Sequence, residues 1–157
     1  MRLLLLCVGR ARAGAERDLA ARYLDRAAAA GRPLGFSRIE ARELDESRAR
    51  DAAARKAAEA RALLAAASGA IFALDEKGET PTSREFAALI GAVRDSGAGA
   101  LTLLIGGPDG LGDDAKAAAR LVSFGRMTLP HQLARIMAAE QIYRAMTILG
   151  GHPYHRD

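Results

Sequence analysis

Leu103-Leu104-Ile105-Gly106-Gly107-Pro108-Asp109-Gly110 is an apolar strand cut short by a glycine-rich turn, and its reading decides the fold. A continuous apolar run, rather than an alternating one, belongs to a strand covered on both faces, the habit of parallel sheets in α/β proteins. Ligands of such sheets bind where loops leave the carboxyl ends of strands. Glycines there allow a ligand to approach the backbone, although a tight turn needing positive φ would use the same residues. The spacing is neither G-x-G-x-x-G nor a phosphate loop with its lysine, so nucleotide binding of those two kinds is not indicated.

Working outward, the run belongs to a predicted fourth strand, Ala100–Ile105, and comparable runs stand at Arg2–Val8 and at 70–74. A weaker alternation predicts a second strand over 36–41, and Arg126–Leu129 reads as a short fifth, held between Gly125 and Pro130. Helical patterns fill the intervals. The first covers 15–30 and is stopped by Gly31-Arg32-Pro33; an alanine-rich stretch over 46–67 is predicted helical and half exposed. Thr82 and Glu85 have capping-box spacing ahead of Phe86, Leu89, Ile90 and Val93. Further helices are predicted over 113–124 and 131–149. Strand and helix alternate throughout, so the expectation is one α/β domain over residues 1–157, built on a parallel sheet of about five strands.

Composition narrows the class. The chain has 50% hydrophobic and 27% charged residues, an ordinary soluble balance, and no apolar run approaches the roughly 18 residues of a membrane span. The opening apolar run ends at Gly9 with no cleavage site after it, so a cytoplasmic protein without a membrane partner is expected. The one cysteine, Cys7, lies within a strand and reads as a core residue. His131, His152 and His155 show no regular ligand spacing with a carboxylate, so no metal is expected. The formal charge of +4 is compatible with a polyanionic partner. Basic residues dominate from Lys116 onward (116, 120, 126, 135, 144, 156), opposed only by Glu140 and Asp157.

Three more stretches could carry chemistry. Leu74-Asp75-Glu76-Lys77-Gly78 leaves a strand end and reads either as a charged surface loop or as a second wall of the crevice. Phe124 to His131 could wall an adenine ring or form an edge strand. The last helix is apolar nearly all round, which predicts burial against its own sheet and a partner subunit, with Glu140 and Arg144 placed for a local ion pair. Its tail, His152-Pro153-Tyr154-His155-Arg156, offers an aromatic, imidazoles and a guanidinium suited to RNA.

Taken together, Leu103–Leu111, Met127–Arg135, Glu140–Ala145 and His152–Arg156 resemble the ribosomal RNA large subunit methyltransferase H family, small bacterial enzymes of the SPOUT class. The likeness runs the length of the chain, strongly from Leu103 and weakly over residues 10–68. It implies a C-terminal deep trefoil knot, where the pattern alone would give an unknotted doubly wound sheet. It also implies a homodimer that uses S-adenosyl-L-methionine to methylate N3 of pseudouridine 1915 in helix 69 of 23S rRNA. By the resemblance, Leu74, Gly106, Phe124, Gly125, Arg126, Met127, Thr128 and Leu129 would contact the cofactor. Tyr154, His155, Arg156 and Arg144 would serve the transfer: His155 as base, Arg156 on the anion or a phosphate, Tyr154 against the base, and Arg144 assisting. Two other readings stay open: a SPOUT enzyme acting on transfer RNA, and a non-catalytic RNA-binding module of the same fold.

Overall fold

The computed structural model describes residues 1–154. The strands are β1 (Arg2–Val8), β2 (Arg38–Leu44), β3 (Ala70–Glu79), β4 (Ala100–Ile105) and β5 (Arg120–Val122), with β1, β3 and β4 on the predicted apolar runs. Between them run α1 (Ala15–Gly31), α2 (Ala52–Ala66), α3 (Ser83–Asp95) and α4 (Asp113–Ala117), and α5 (His131–Leu149) follows the last strand. The sheet order is β2-β1-β4-β3-β5, with every pairing parallel.

Side-chain alternation along the strands divides the core into two layers. Leu3, Leu5 and Cys7 of β1, with Leu101, Leu103 and Ile105 of β4, face α1, α3 and α5. Leu6, Val8 and Leu104 face the opposite way, toward Ala60 and Leu63 of α2, with Leu111 and Ala115. All six residues of β4 are buried, as its unbroken apolar run requires. Alanine-rich α2 contributes only Glu59, Ala60 and Leu63 to the interior, so it is a thin, half-exposed cover. Thr82 and Glu85 form the expected capping box, the Thr82 side chain accepting from the Glu85 amide at 3.2 Å and Glu85 accepting from the Thr82 amide at 2.7 Å.

The structure corrects several expectations. The fifth strand is Arg120–Val122, not Arg126–Leu129, which is irregular. Strand identity depends on a partner: Arg120, Leu121 and Val122 pair with Phe72, Ala73 and Leu74, and Gly125 at φ 124° lies in the segment that then leaves the sheet. The helix predicted over 113–124 is accordingly reduced to Asp113–Ala117, because the chain must reach the sheet edge by Arg120. β2 starts at Arg38 rather than at 36, and α2 starts at Ala52 rather than at 46, where Asp51 caps it by accepting from the Ala54 amide at 2.8 Å.

The last helix, expected to pack on its own sheet and on a partner subunit, is covered largely from within the chain, by α1 on one side and α3 on the other. A narrower stripe remains outside that cover: Leu133 is 45% exposed, and Ile136 and Met137 are half-buried.

Cys7 is 2% exposed, as expected of a core residue. Burial pushes its thiol up to about 12, against the opposing pull of the Arg135 guanidinium. Since the thiolate is the reactive form, native protein should not react with a thiol reagent at pH 8, and denatured protein should release one equivalent. Rapid labelling of the native chain would contradict this burial.

Candidate active site

The crevice sits where β3, β4 and β5 end. It encloses about 720 Å³, lined by Leu74 to Glu76, Gly106 to Leu111, Val122 to Gly125 and Met127 to His131. The three segments singled out in the sequence therefore share one cavity. Of the eight expected cofactor contacts, Leu74, Gly106, Phe124, Gly125, Met127, Thr128 and Leu129 line it, whereas Arg126 is exposed and lies outside.

Each wall has a local cause. Gly106 is buried, and a Cβ there would stand 2.8 Å from the backbone of Gly110 and Leu111. Gly107 to Gly110 closes a turn, the Gly110 amide donating to the Gly107 carbonyl at 2.9 Å. Asp109 then anchors the turn to α2 by an ion pair with Arg55 at 2.6 Å, a bond that holds its carboxyl below the usual carboxylate range.

Asp75 to Gly78, expected as a loop, is an excursion within β3. Leu74 and Glu79 both pair with Val122, so the residues between them bulge out of register. Gly78 is required in that bulge, because a Cβ would meet the Val122 backbone at 2.6 Å. Asp75 pairs with Lys116 at 2.7 Å. Burial opposes its charge, but the hydrogen bonds from Lys116 and the Lys77 amide outweigh burial and hold the carboxyl low. The third wall is folded by Ser123, whose hydroxyl donates to the Gly125 carbonyl at 2.9 Å and accepts from the Gly125 amide at 3.1 Å. Beyond it Met127 is 85% exposed, a large apolar side chain on the rim.

His131, which closes the Phe124–His131 stretch, lines the crevice, and Arg135, which sequence reasoning missed, follows one turn later on α5 outside that lining. His131, in the first turn of α5, places Nε2 2.5 Å from the Gly106 carbonyl. A carbonyl can only accept, so Nε2 carries the hydrogen. Burial, and then the nearby Arg135 charge, lower the pKa of this imidazole. Arg135 is 5% exposed and donates to the Val8 and Gly9 carbonyls and to Glu43. The available signal was a charged residue on the inner side of an otherwise apolar helix.

The described part of the tail, through Tyr154, is elsewhere. At the end of α5 the Gly151 amide donates to the Ile148 carbonyl and the His152 amide to the Thr147 carbonyl, the paired bonds of a Schellman turn. Gly151, at φ 66°, allows that turn, which brings Tyr154 back over the helix. Tyr154 packs on Tyr143 with ring centroids 4.7 Å apart, and its hydroxyl donates to Glu140 at 3.2 Å. Glu140 pairs with Arg144 at 2.7 Å, as the i,i+4 spacing predicted. Arg144 lies 5.0 Å above the Tyr154 ring and Arg26 lies 4.6 Å above that of Tyr143. Burial, followed by the Glu140 charge, pushes the Tyr154 phenol up to about 12, so it stays protonated.

Glu140 is nine residues beyond His131, about 13 Å along the helix at 1.5 Å per residue. Within one chain, Tyr154 and Arg144 are thus assembled with each other but not with the crevice. His155 and Arg156 lie outside the described residues. Among the described residues no cluster of three metal-ligating side chains occurs, and no helix is long and apolar enough to cross a membrane.

Residues 1–155 match the family described as "Predicted SPOUT methyltransferase". The chain belongs to the SPOUT methyltransferase family. Within it, the chain is 66% identical to a ribosomal RNA large subunit methyltransferase H from Methylocella silvestris, all of both chains being covered. It is 56% identical to the protein of that name from Beijerinckia indica, with 99% of each covered. These two relatives place it in the large subunit methyltransferase H branch of the family. A crystal structure of a probable methyltransferase from Bordetella pertussis Tohama I shares the fold, with a TM-score of 0.50 at 20% identity over 92% of this chain and 95% of that one.

Proposed function

We propose that this SPOUT methyltransferase uses S-adenosyl-L-methionine to methylate N3 of pseudouridine 1915 in 23S rRNA, acting as a cytoplasmic homodimer of single-domain chains with a knotted C-terminal segment. The observation that carries the reading is the convergence of Leu74, Gly106, Phe124, Gly125 and Met127 to Leu129 on one cavity in a chain so similar to named rRNA methyltransferases. The cavity suits the cofactor chemically. Its volume falls within the usual range for small-molecule sites. Gly106 leaves backbone open to a close approach, Leu74, Phe124 and Leu129 offer apolar surface to an adenine, and Asp75 and Glu76 put negative charge near a sulfonium.

When bound, the cofactor supplies an electrophilic sulfonium methyl. The protein's contribution is alignment and proton management. The acceptor N3 must lose a proton, and His155 is the proposed base, with Arg156 holding the developing anion or a phosphate. Tyr154 orients the base by stacking, and Arg144 keeps Tyr154 and Glu140 in place. Because Tyr154 packs away from the crevice of its own chain, the tail is proposed to complete the crevice of a partner. The open stripe of Leu133, Ile136 and Met137, with exposed Met127, is the surface on which that partner would sit.

The test is transfer of labelled methyl from S-adenosylmethionine to 70S ribosomes, isolated large subunits and transfer RNA, with pseudouridine-free ribosomes as control. Label in 23S rRNA that disappears from the control supports the reading. Label in transfer RNA, or no label in any substrate despite cofactor binding, overturns it.

A further inference from the structure

The first turn of α5 is fastened to the carboxyl ends of three adjacent strands. His131 donates to the carbonyl of Gly106, directly after β4. One turn later Arg135 reaches β1 and β2: Nη2 donates to the carbonyl of Val8 at 2.7 Å and to that of Gly9, and Nη1 donates to Glu43 at 2.9 Å. A guanidinium suits this task because its fork presents several donors in a fixed plane, which an ammonium cannot.

The arrangement is costly. Arg135 is 5% exposed, and its Nε has no hydrogen-bond partner among the described residues. On the opposite face of the sheet Glu59, also 5% exposed, accepts from the Ser47 amide through one oxygen, while the other has no partner among those residues. That oxygen would lie 2.8 Å from a Cβ at Gly107, so a buried carboxylate sits directly against the glycine turn. Apolar side chains would fill both places more cheaply if stability were the only requirement. What lies immediately before His131 is the crevice wall, residues 124–130, which has no strand partner to hold it.

We propose that His131 and Arg135 are positioning residues for methyl transfer: together they lock the start of α5, and through it the 124–130 wall, onto the ends of β4, β1 and β2. This rests on the cofactor assignment above, and its test separates the two. Full-length Arg135→Met, Arg135→Lys, His131→Leu, His131→Gln and Glu43→Gln proteins would be compared with the unaltered chain. The readouts are S-adenosylhomocysteine affinity by calorimetry and backbone hydrogen exchange without ligand.

Arg135→Met and His131→Leu should weaken affinity by about 10-fold or more, the loss of a hydrogen bond to a buried carbonyl. They should speed exchange in 124–130 while leaving residues 101–105 of β4 as protected as before. His131→Gln, which keeps an N–H donor, should recover most of the affinity, whereas Arg135→Lys should not. Should Arg135→Met fail to fold, Glu43→Gln decides, since it removes one charge partner from a half-exposed side chain. It should raise exchange in the same segment by a smaller factor. Exchange that rises evenly through every element, or wild-type exchange in 124–130 for all variants that fold, overturns the proposal. If the unaltered chain binds no S-adenosylhomocysteine, the cofactor reading fails while the exchange comparison still decides the positioning role.

Discussion

Ending the chain at Gly151 is expected to leave cofactor affinity within about 3-fold and to reduce methyl transfer by about 10²–10⁴-fold, the range for a lost acid–base group. The two effects separate because Tyr154 lies against Tyr143, Glu140 and Arg144, none of which lines the crevice. Some stability should be lost as well, about 1 kcal/mol for one aromatic pair, since Tyr143 would lose the ring stacked on it. Calorimetry with S-adenosylhomocysteine and labelled transfer to ribosomes provide the two measurements. A single Tyr154→Phe change refines the result, because it keeps the ring and removes only the hydroxyl that donates to Glu140. Full transfer by the shortened chain would refute a catalytic tail, and an equal loss of cofactor binding would make the tail part of the cofactor site instead.

The second large effect is expected at Gly106. In Gly106→Val the new Cβ would come within 2.8 Å of the Gly110 and Leu111 backbone, and no flexible side-chain end is available to yield. The 106–111 turn would have to move, and with it the carbonyl that accepts from His131. Cofactor affinity should fall by about 100-fold or more, and stability should drop by about 1–3 kcal/mol, the range for overpacking a buried site. Gly99→Ala is the control, because nothing lies within 4 Å of a Cβ there. Affinity is read by calorimetry and stability by urea denaturation. Wild-type affinity in Gly106→Val would mean that the glycine serves the turn alone.

Much of the candidate crevice was legible beforehand because its signals are local. An apolar run that breaks at glycine marks a buried strand and the loop leaving its end, and β4 with Gly106 follows that pattern. The capping box at Thr82 and Glu85 is likewise complete within four residues. Where the reading failed, the deciding contact was distant. Arg126–Leu129 has the composition of a short strand, but Arg120–Val122 holds the edge of β3, and that pairing is invisible in either segment alone. The apolar circumference of α5 truly signals burial on two sides. Whether the second cover is a partner or α3 of the same chain is not written in its periodicity.

The sequence by itself determined the order of elements, the parallel sheet and the three loops that line the crevice, because periodicity, capping and glycine breaks act over a few residues. Only the tertiary structure decided which edge strand forms, where Tyr154 rests and what the inward-facing arginine of α5 does. Arg135 meets the Val8 carbonyl across 127 positions of chain. A hydrogen bond across that separation depends on how the strands stack and how α5 crosses their ends, and no local pattern encodes it.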